Sequence, residues 1–180
     1  VTTIRPETAA DEAAVHDLTA AAFGDENVAR LVDLVRASPY FAPGLSLVAE
    51  ADGRILGHVM LSRAPLRREE ATGAPDLEVL LLSPLSVHPD AQRRGIGSAL
   101  VRHALTLAEE RGEPMVMLEG DPKLYGRFGF EPAGRHGIER PSERIPEWAF
   151  QVRRLAGYDP ALRGRLEYPS AFWETGSVGP

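Results

Sequence analysis

Gln92-Arg93-Arg94-Gly95-Ile96-Gly97-Ser98-Ala99 stands between an apolar run and an amphipathic one, and the architecture turns on how it is understood. Two glycines at such a junction let the backbone turn tightly with no Cβ in the way, so several consecutive N–H groups converge on one point. The helix that follows adds its unpaired first-turn donors and the positive end of its dipole, and Arg93 and Arg94 add full charges. The stretch is an anion site in outline, with phosphate or pyrophosphate as its natural guest.

Spacing separates three kinds of phosphate loop. A Walker loop ends in Gly-Lys-Ser/Thr, whereas Gly97 is followed by Ser98 and Ala99 with no lysine. A dinucleotide fingerprint needs Gly or Ala where Leu100 stands, although Glu119 lies at a workable distance for a ribose contact, so this reading stays as a rival. The third pattern is Q/R-x-x-G-x-G/A, which Gln92, Gly95 and Gly97 meet in full. Here the chain resembles the GNAT superfamily of N-acetyltransferases, which hold the pyrophosphate of acetyl-CoA on this turn. A bare glycine turn with nothing bound is the plain alternative.

The flanking sequence builds outward from that turn. Thr2 to Pro6 reads as a first strand; Thr8 with Asp11 starts a helix whose apolar face is Val15, Leu18, Ala22 and Phe23. Val28, Leu31, Val32 and Val35 mark a second helix. Leu45 to Glu50 and Arg54 to Arg63 form a hairpin across Asp52-Gly53, a dipeptide suited to positive φ. Arg67 to Pro75 is an exposed connection, and Leu77 to Leu82 is a strand buried on both faces. Pro84 lacks the N–H a ladder needs, which implies a bulge or parting of neighbours before Leu85-Ser86-Val87. Ile96, Leu100, Ala104, Leu107 and Ala108 then line a helix that ends at Gly112, and Met115 to Leu118 is the next strand. Strand, glycine turn, helix, strand makes a crossover between parallel strands. Gly120-Asp121-Pro122 opens a short helix holding Lys123, Leu124 and Tyr125; Gly134 to Pro146 reads as a polar loop. Trp148, Phe150 and Val152 alternate as a strand, and Leu166 to Tyr168 is a further one before a Pro/Gly/Ser tail.

A second motif, Tyr125-Gly126-Arg127-Phe128-Gly129-Phe130, resembles the family's Y-x-x-x-G-F signature and follows the first in the family's order. The resemblance spans the chain to about residue 155 and implies an α/β (α+β) domain. Its central sheet is mixed and mostly antiparallel, with a parallel pair splayed at the cofactor site and helices on the flanks. It implies acetyl-CoA as donor, with pyrophosphate on the N–H groups of Arg93, Arg94, Gly95, Ile96, Gly97 and Ser98 beside Gln92. Pantetheine then runs along Leu85, Ser86 and Val87 like an added strand. Two departures are plain. Where the family often begins the short helix with an Asn some turns before the tyrosine, this chain has Gly120-Asp121-Pro122 and a shorter helix, and the register in which many members carry a catalytic glutamate falls near Leu81, which is apolar.

An amine of pKa about 10.4 must lose a proton before it attacks, and a departing thiolate whose thiol has pKa about 8.5 gains from a donor. Tyr125 is the candidate acid. Glu119, at the end of the strand beside the parted pair, leads as base, with Glu78 and His88 behind it. Loops at Phe41 to Leu45 and Gly134 to Pro146 are expected to shape the acceptor pocket.

The 180 residues suffice for one domain, 1–180, with a core over about 2–155 and a terminal strand and tail beyond it; 43% hydrophobic and 26% charged residues are globular values. Cysteine is absent, which excludes disulfides, thiolate metal sites and a covalent cysteine intermediate. The histidines lack metal-ligand spacing, so no metal is expected. No apolar run reaches the ~18 residues of a membrane helix, and no signal-like segment opens the sequence, so a cytoplasmic location is expected. A net charge of −6 and arginines without interleaved aromatics argue against nucleic acid. The leading function is transfer of acetyl from acetyl-CoA to a primary amine on a small molecule or peptide, by direct attack. A non-catalytic acyl-CoA sensor and a nicotinamide oxidoreductase are the alternatives, and the resemblance also allows a homodimer.

Overall fold

The computed structural model describes residues 1–69 and 73–180, so the middle of the expected connection after Arg67 lies outside the described residues. Strand β1 (Thr3–Pro6) pairs antiparallel with β2 (Phe41–Ala51), β2 with β3 (Arg54–Arg67), and β3 with β4 (Leu77–Val87). The hairpin between β2 and β3 closes through Asp52 and Gly53 at φ 51° and 73°, the left-handed pair its sequence asks for. Both strands outrun their apolar alternation. Phe41 to Leu45, expected as a pocket loop, is instead sheet, with an irregular register before Ser46.

Helix α1 (Glu12–Phe23) follows a single turn at Ala9–Asp11, where the Asp11 carboxylate accepts the Thr8 N–H at 2.7 Å. Val15 and Leu18 are buried, but Phe23 is 49% exposed. At about 100° per residue, Phe23 lies about 140° around the helix from Leu18 and so leaves the core face. In α2 (Glu26–Arg36), capped by Asp25, the buried residues are Ala29, Leu31, Val32 and Val35.

Pro84 sits at the bulge expected of it. The register passes from Val59↔Leu85 to Leu61↔Leu82, one residue longer on β4, and the Ser83–Pro84 peptide bond is cis. Helix α3 (Ile96–Glu110) then crosses over to β5 (Met115–Glu119), which pairs parallel with β4 at Leu80↔Val116 and Leu81↔Met117. Beyond those pairs β4 stays with β3, while β5 stays with β8 (Phe150–Arg154) as far as Glu119↔Phe150. The two strands therefore part, and an opening forms between their carboxyl ends.

The remaining elements are small: α4 (Pro122–Tyr125), β6 (Glu131–Pro132) on β8, β7 (Ile138–Glu139) on β9 (Gly164–Leu166), and α5 (Ser170–Glu174). Strand β9 also pairs with β3 through Leu66↔Leu166. The stretch expected as a polar loop thus holds a turn at Ala133–His136 and the strand β7, which at two residues has no period to read. Trp148 does not open β8. The Ala149 N–H bonds back to the Pro146 carbonyl at 2.9 Å, so these residues form a turn that leaves Trp148 59% exposed. The sheet is mixed and mostly antiparallel. One face (Val79, Leu81, Met115, Met117) packs with residues of α1, α2 and α5; the other (Leu80, Leu82, Val116, Leu118) packs with α3 and Tyr125.

Candidate active site

The glycine turn is built to leave donors free. Arg93 takes φ 61° and Gly95 φ 83°, and the first bond of α3 runs from the Ala99 N–H to the Gly95 carbonyl at 3.0 Å. The N–H groups from Arg93 through Ser98 thus have no protein acceptor among the described residues. A left-handed non-glycine residue followed two positions on by a left-handed glycine curls the chain into a concavity of N–H groups at a helix N-terminus. Arg93 and Arg94 are exposed and make no ion pair among the described residues.

The strand that faces this turn is equally open. The His88 N–H donates to the Leu56 carbonyl at 2.9 Å, so by antiparallel alternation Ser86 also faces β3, while Leu85 and Val87 turn their backbone groups to the opening. The Val87 carbonyl accepts the Gln92 side-chain amide at 3.2 Å, which ties the loop to the strand end. The Ser86 side chain is buried on the opposite side and donates to the Thr19 hydroxyl at 3.3 Å, so it anchors β4 to α1. Gly97 looks the other way, toward Val87 and Leu85.

Tyr125 stands over the end of β5. A Cβ on Gly120 would come within 2.6 Å of its ring, so only glycine leaves that seat, and Phe130 meets the ring edge-on at 5.9 Å. The residue is 9% exposed, its hydroxyl has no protein partner among the described residues, and burial raises its pKa to about 12. Glu119 lies on the other face of β5. Burial raises its carboxyl above the usual range, against the opposing effect of the Gly179 N–H at 3.4 Å and the Tyr168 hydroxyl at 3.3 Å, both on Oε2. It lines a cavity of about 430 Å³ with Lys123, Pro146, Trp148, Ala149 and Pro180.

The other candidate bases lie apart. Glu78 is on the opening pair's far side, paired with Pro65 near the start of β4, and the His88 ring accepts the Asp90 N–H at 3.2 Å as the cap of a turn. The expected register for a glutamate in β4, Leu81, is 1% exposed in the core.

A model of the acetyltransferase (GNAT) domain matches residues 3–133. The chain belongs to the GNAT family. It is 34% identical over 163 residues to the N-acetyltransferase YhbS of Escherichia coli K12, covering 89% of this chain and 90% of that one. The crystal structure of Escherichia coli YhbS in complex with CoA superposes with a TM-score of 0.82 at 32% identity, over 95% of this chain and 91% of the other. A GNAT acetyltransferase from Brucella melitensis in complex with acetyl-CoA gives 0.76 at 30% identity, over 96% and 98%. The mixed, mostly antiparallel sheet with β4 and β5 parallel at the opening is the GNAT fold, as the two motifs implied.

Three residues around the candidate site were not legible in the motifs. Arg127, an unspecified position of the tyrosine signature, reaches back to donate from Nη2 to the Ser98 hydroxyl at 2.9 Å. It stacks on Phe128 at 4.9 Å, and no carboxylate pairs with it among the described residues. A cation at the positive end of a helix is unfavourable until an anion joins it. Tyr168 and Gly179 arrive on Glu119 from 49 and 60 residues away, a meeting that no local pattern announces.

Proposed function

We propose that the protein transfers the acetyl group of acetyl-CoA to a primary amine within a single domain, by direct attack in a ternary complex. The observation that carries this is the set of free N–H groups from Arg93 to Ser98 beside the opening between β4 and β5. The donors fit a diphosphate, and Arg93, Arg94 and Arg127 supply charge around them. Leu85 and Val87 offer backbone groups to a pantetheine amide chain as a strand edge would. When bound, acetyl-CoA supplies an activated thioester.

The residues then divide the proton work. Val87 N–H faces the opening and can donate to the acyl oxygen as charge builds on it. Glu119 takes the ammonium proton of the acceptor, directly or through water; its raised pKa makes it a stronger base than an ordinary glutamate. The N–C bond forms as the C–S bond breaks, the nitrogen gives its second surplus proton to water, and the sulfur leaves under the Tyr125 hydroxyl, whose proton it takes; water reprotonates the phenolate, and Glu119 returns its proton to solvent. A phenol near 12 stays protonated through the working range, so this donor is loaded at each turnover. No helix of the described residues is long and apolar enough to cross a membrane. With no cysteine to oxidise, the reading extends to a cytoplasmic enzyme.

Two measurements test it. CoA should raise unfolding stability by about 2.7 kcal/mol at a hundred times Kd, and the melting temperature with it, while NAD should not. Release of free thiol from acetyl-CoA should depend on added amine; CoA binding without amine-dependent release across a broad panel would favour the sensor instead.

A further inference from the structure

The cavity beside Glu119 carries an arrangement that the reaction alone does not require. Lys123 is the only lysine in a chain of 20 basic residues, and it stands on the wall of this cavity. It has no ion-pair partner among the described residues. The neighbouring Asp121, also on the lining, caps the short helix by accepting the Lys123 N–H on Oδ1 at 2.8 Å. Glu119 keeps Oε1 without a protein partner among the described residues. The remaining lining is apolar and flat: Pro146, Ala149, Pro180 and the exposed indole of Trp148.

We propose that this cavity takes the acceptor as an α-amino acid with an apolar side chain, its amine on Glu119, its carboxylate on Lys123 and its side chain against Trp148 and Pro146. The inference rests on the acetyltransferase reading and names the acceptor class of the same site. A volume of about 430 Å³ suits a small molecule. An amine and a carboxylate on one carbon match a carboxylate and an ammonium on one wall. A polyamine matches less well, because its second cation would meet the Lys123 ammonium in the same small cavity. An amine without a carboxylate would leave Lys123 unpaired, as it is in the free protein.

The test compares L-phenylalanine, L-phenylalaninamide, 2-phenylethylamine, glycine and spermidine by amine-dependent thiol release and product mass. The expected result is that kcat/KM for L-phenylalanine exceeds that for its amide and for 2-phenylethylamine by about fivefold or more, the worth of an exposed ion pair at its upper end. In Lys123→Met the three should converge to within about twofold through the loss on L-phenylalanine alone. Trp148→Ala should raise KM for L-phenylalanine by about tenfold and leave that for glycine near its parent value. Equal rates with and without the carboxylate, an unchanged preference in Lys123→Met, or turnover of spermidine alone would each overturn the proposal while leaving the acetyltransferase reading in place. Silence from these five with turnover of another amine would overturn this proposal alone; silence across a broad amine panel, with CoA still bound, would overturn both.

Discussion

Tyr125 and Glu119 sit on opposite faces of one strand end, and both have pKa values pushed up by burial, with opposite consequences for catalysis. In the proposed reaction the shift at Tyr125 keeps the donor protonated. Tyr125→Phe should lower kcat by about a hundredfold while changing Kd for acetyl-CoA less than about threefold, as stopped-flow turnover and calorimetry would register. For Glu119 the shift moves the acidic limb of kcat/KM upward, because the base must be ionised and ionises later. That limb should lie above the ordinary glutamate pKa and vanish in Glu119→Gln together with most of the rate. Stability should move the other way. Between the unfolded pKa of 4.5 and the raised folded value the native state holds more proton than the unfolded chain, so stability falls as pH rises through that window. Glu119→Gln should thus melt no lower than the parent at neutral pH, a result a merely structural glutamate would not give. Both residues were legible as candidates from a motif and a strand end, but their environments were not, since burial is set by residues far away in the chain.

Among the elements, the glycine turn and the tyrosine motif were expected as separate signals, and the structure joins them through Arg127. Arg127→Ala should weaken CoA binding by about tenfold, the loss of a charge-assisted contact, with little change in melting temperature of the free protein. If the arginine only stacks on Phe128, the loss will appear in the melting temperature and not in Kd. A second connection between elements is buried. Glu7, after β1, bonds the Arg36 guanidinium of α2 at 2.8 Å and faces His58 of β3 at 3.3 Å, while His58 also meets the Ser46 hydroxyl of β2 at 2.8 Å. Burial would raise the Glu7 carboxyl, but the hydrogen bonds from His58 and Arg36 outweigh it and hold its pKa at about 2. His58 itself is held neutral by burial, so the positive charge opposite Glu7 belongs to Arg36. The sign follows from linkage. This carboxylate contributes stability that is present above pH 4.5 and lost as pH falls toward about 2, up to about 3 kcal/mol. Glu7→Gln should flatten the acid limb of an unfolding titration across that window.

At the scale of the whole molecule, the segment after residue 155 closes the structure on the side of Glu119. Phe172 is 1% exposed and stacks on Tyr168 at 4.8 Å between ring centres, and Tyr168 donates to Glu119. Phe172→Ala should lower unfolding stability by about 3 to 5 kcal/mol, read from denaturant titration, and should lower the Glu119 limb of the rate profile as water reaches the carboxyl. The sequence by itself determined the hairpin at Asp52-Gly53, the bulge at Pro84, the crossover through α3 and the glycine turn before it, because each depends on neighbours a few residues apart. It could not show that Trp148 leaves β8 for a turn, or that residues after 155 add to the core, because strands of two or three residues carry no period. Only the tertiary structure decided which groups surround Glu119. Tyr168 and Gly179 meet there by long-range packing, and an environment made of such contacts has no local signature.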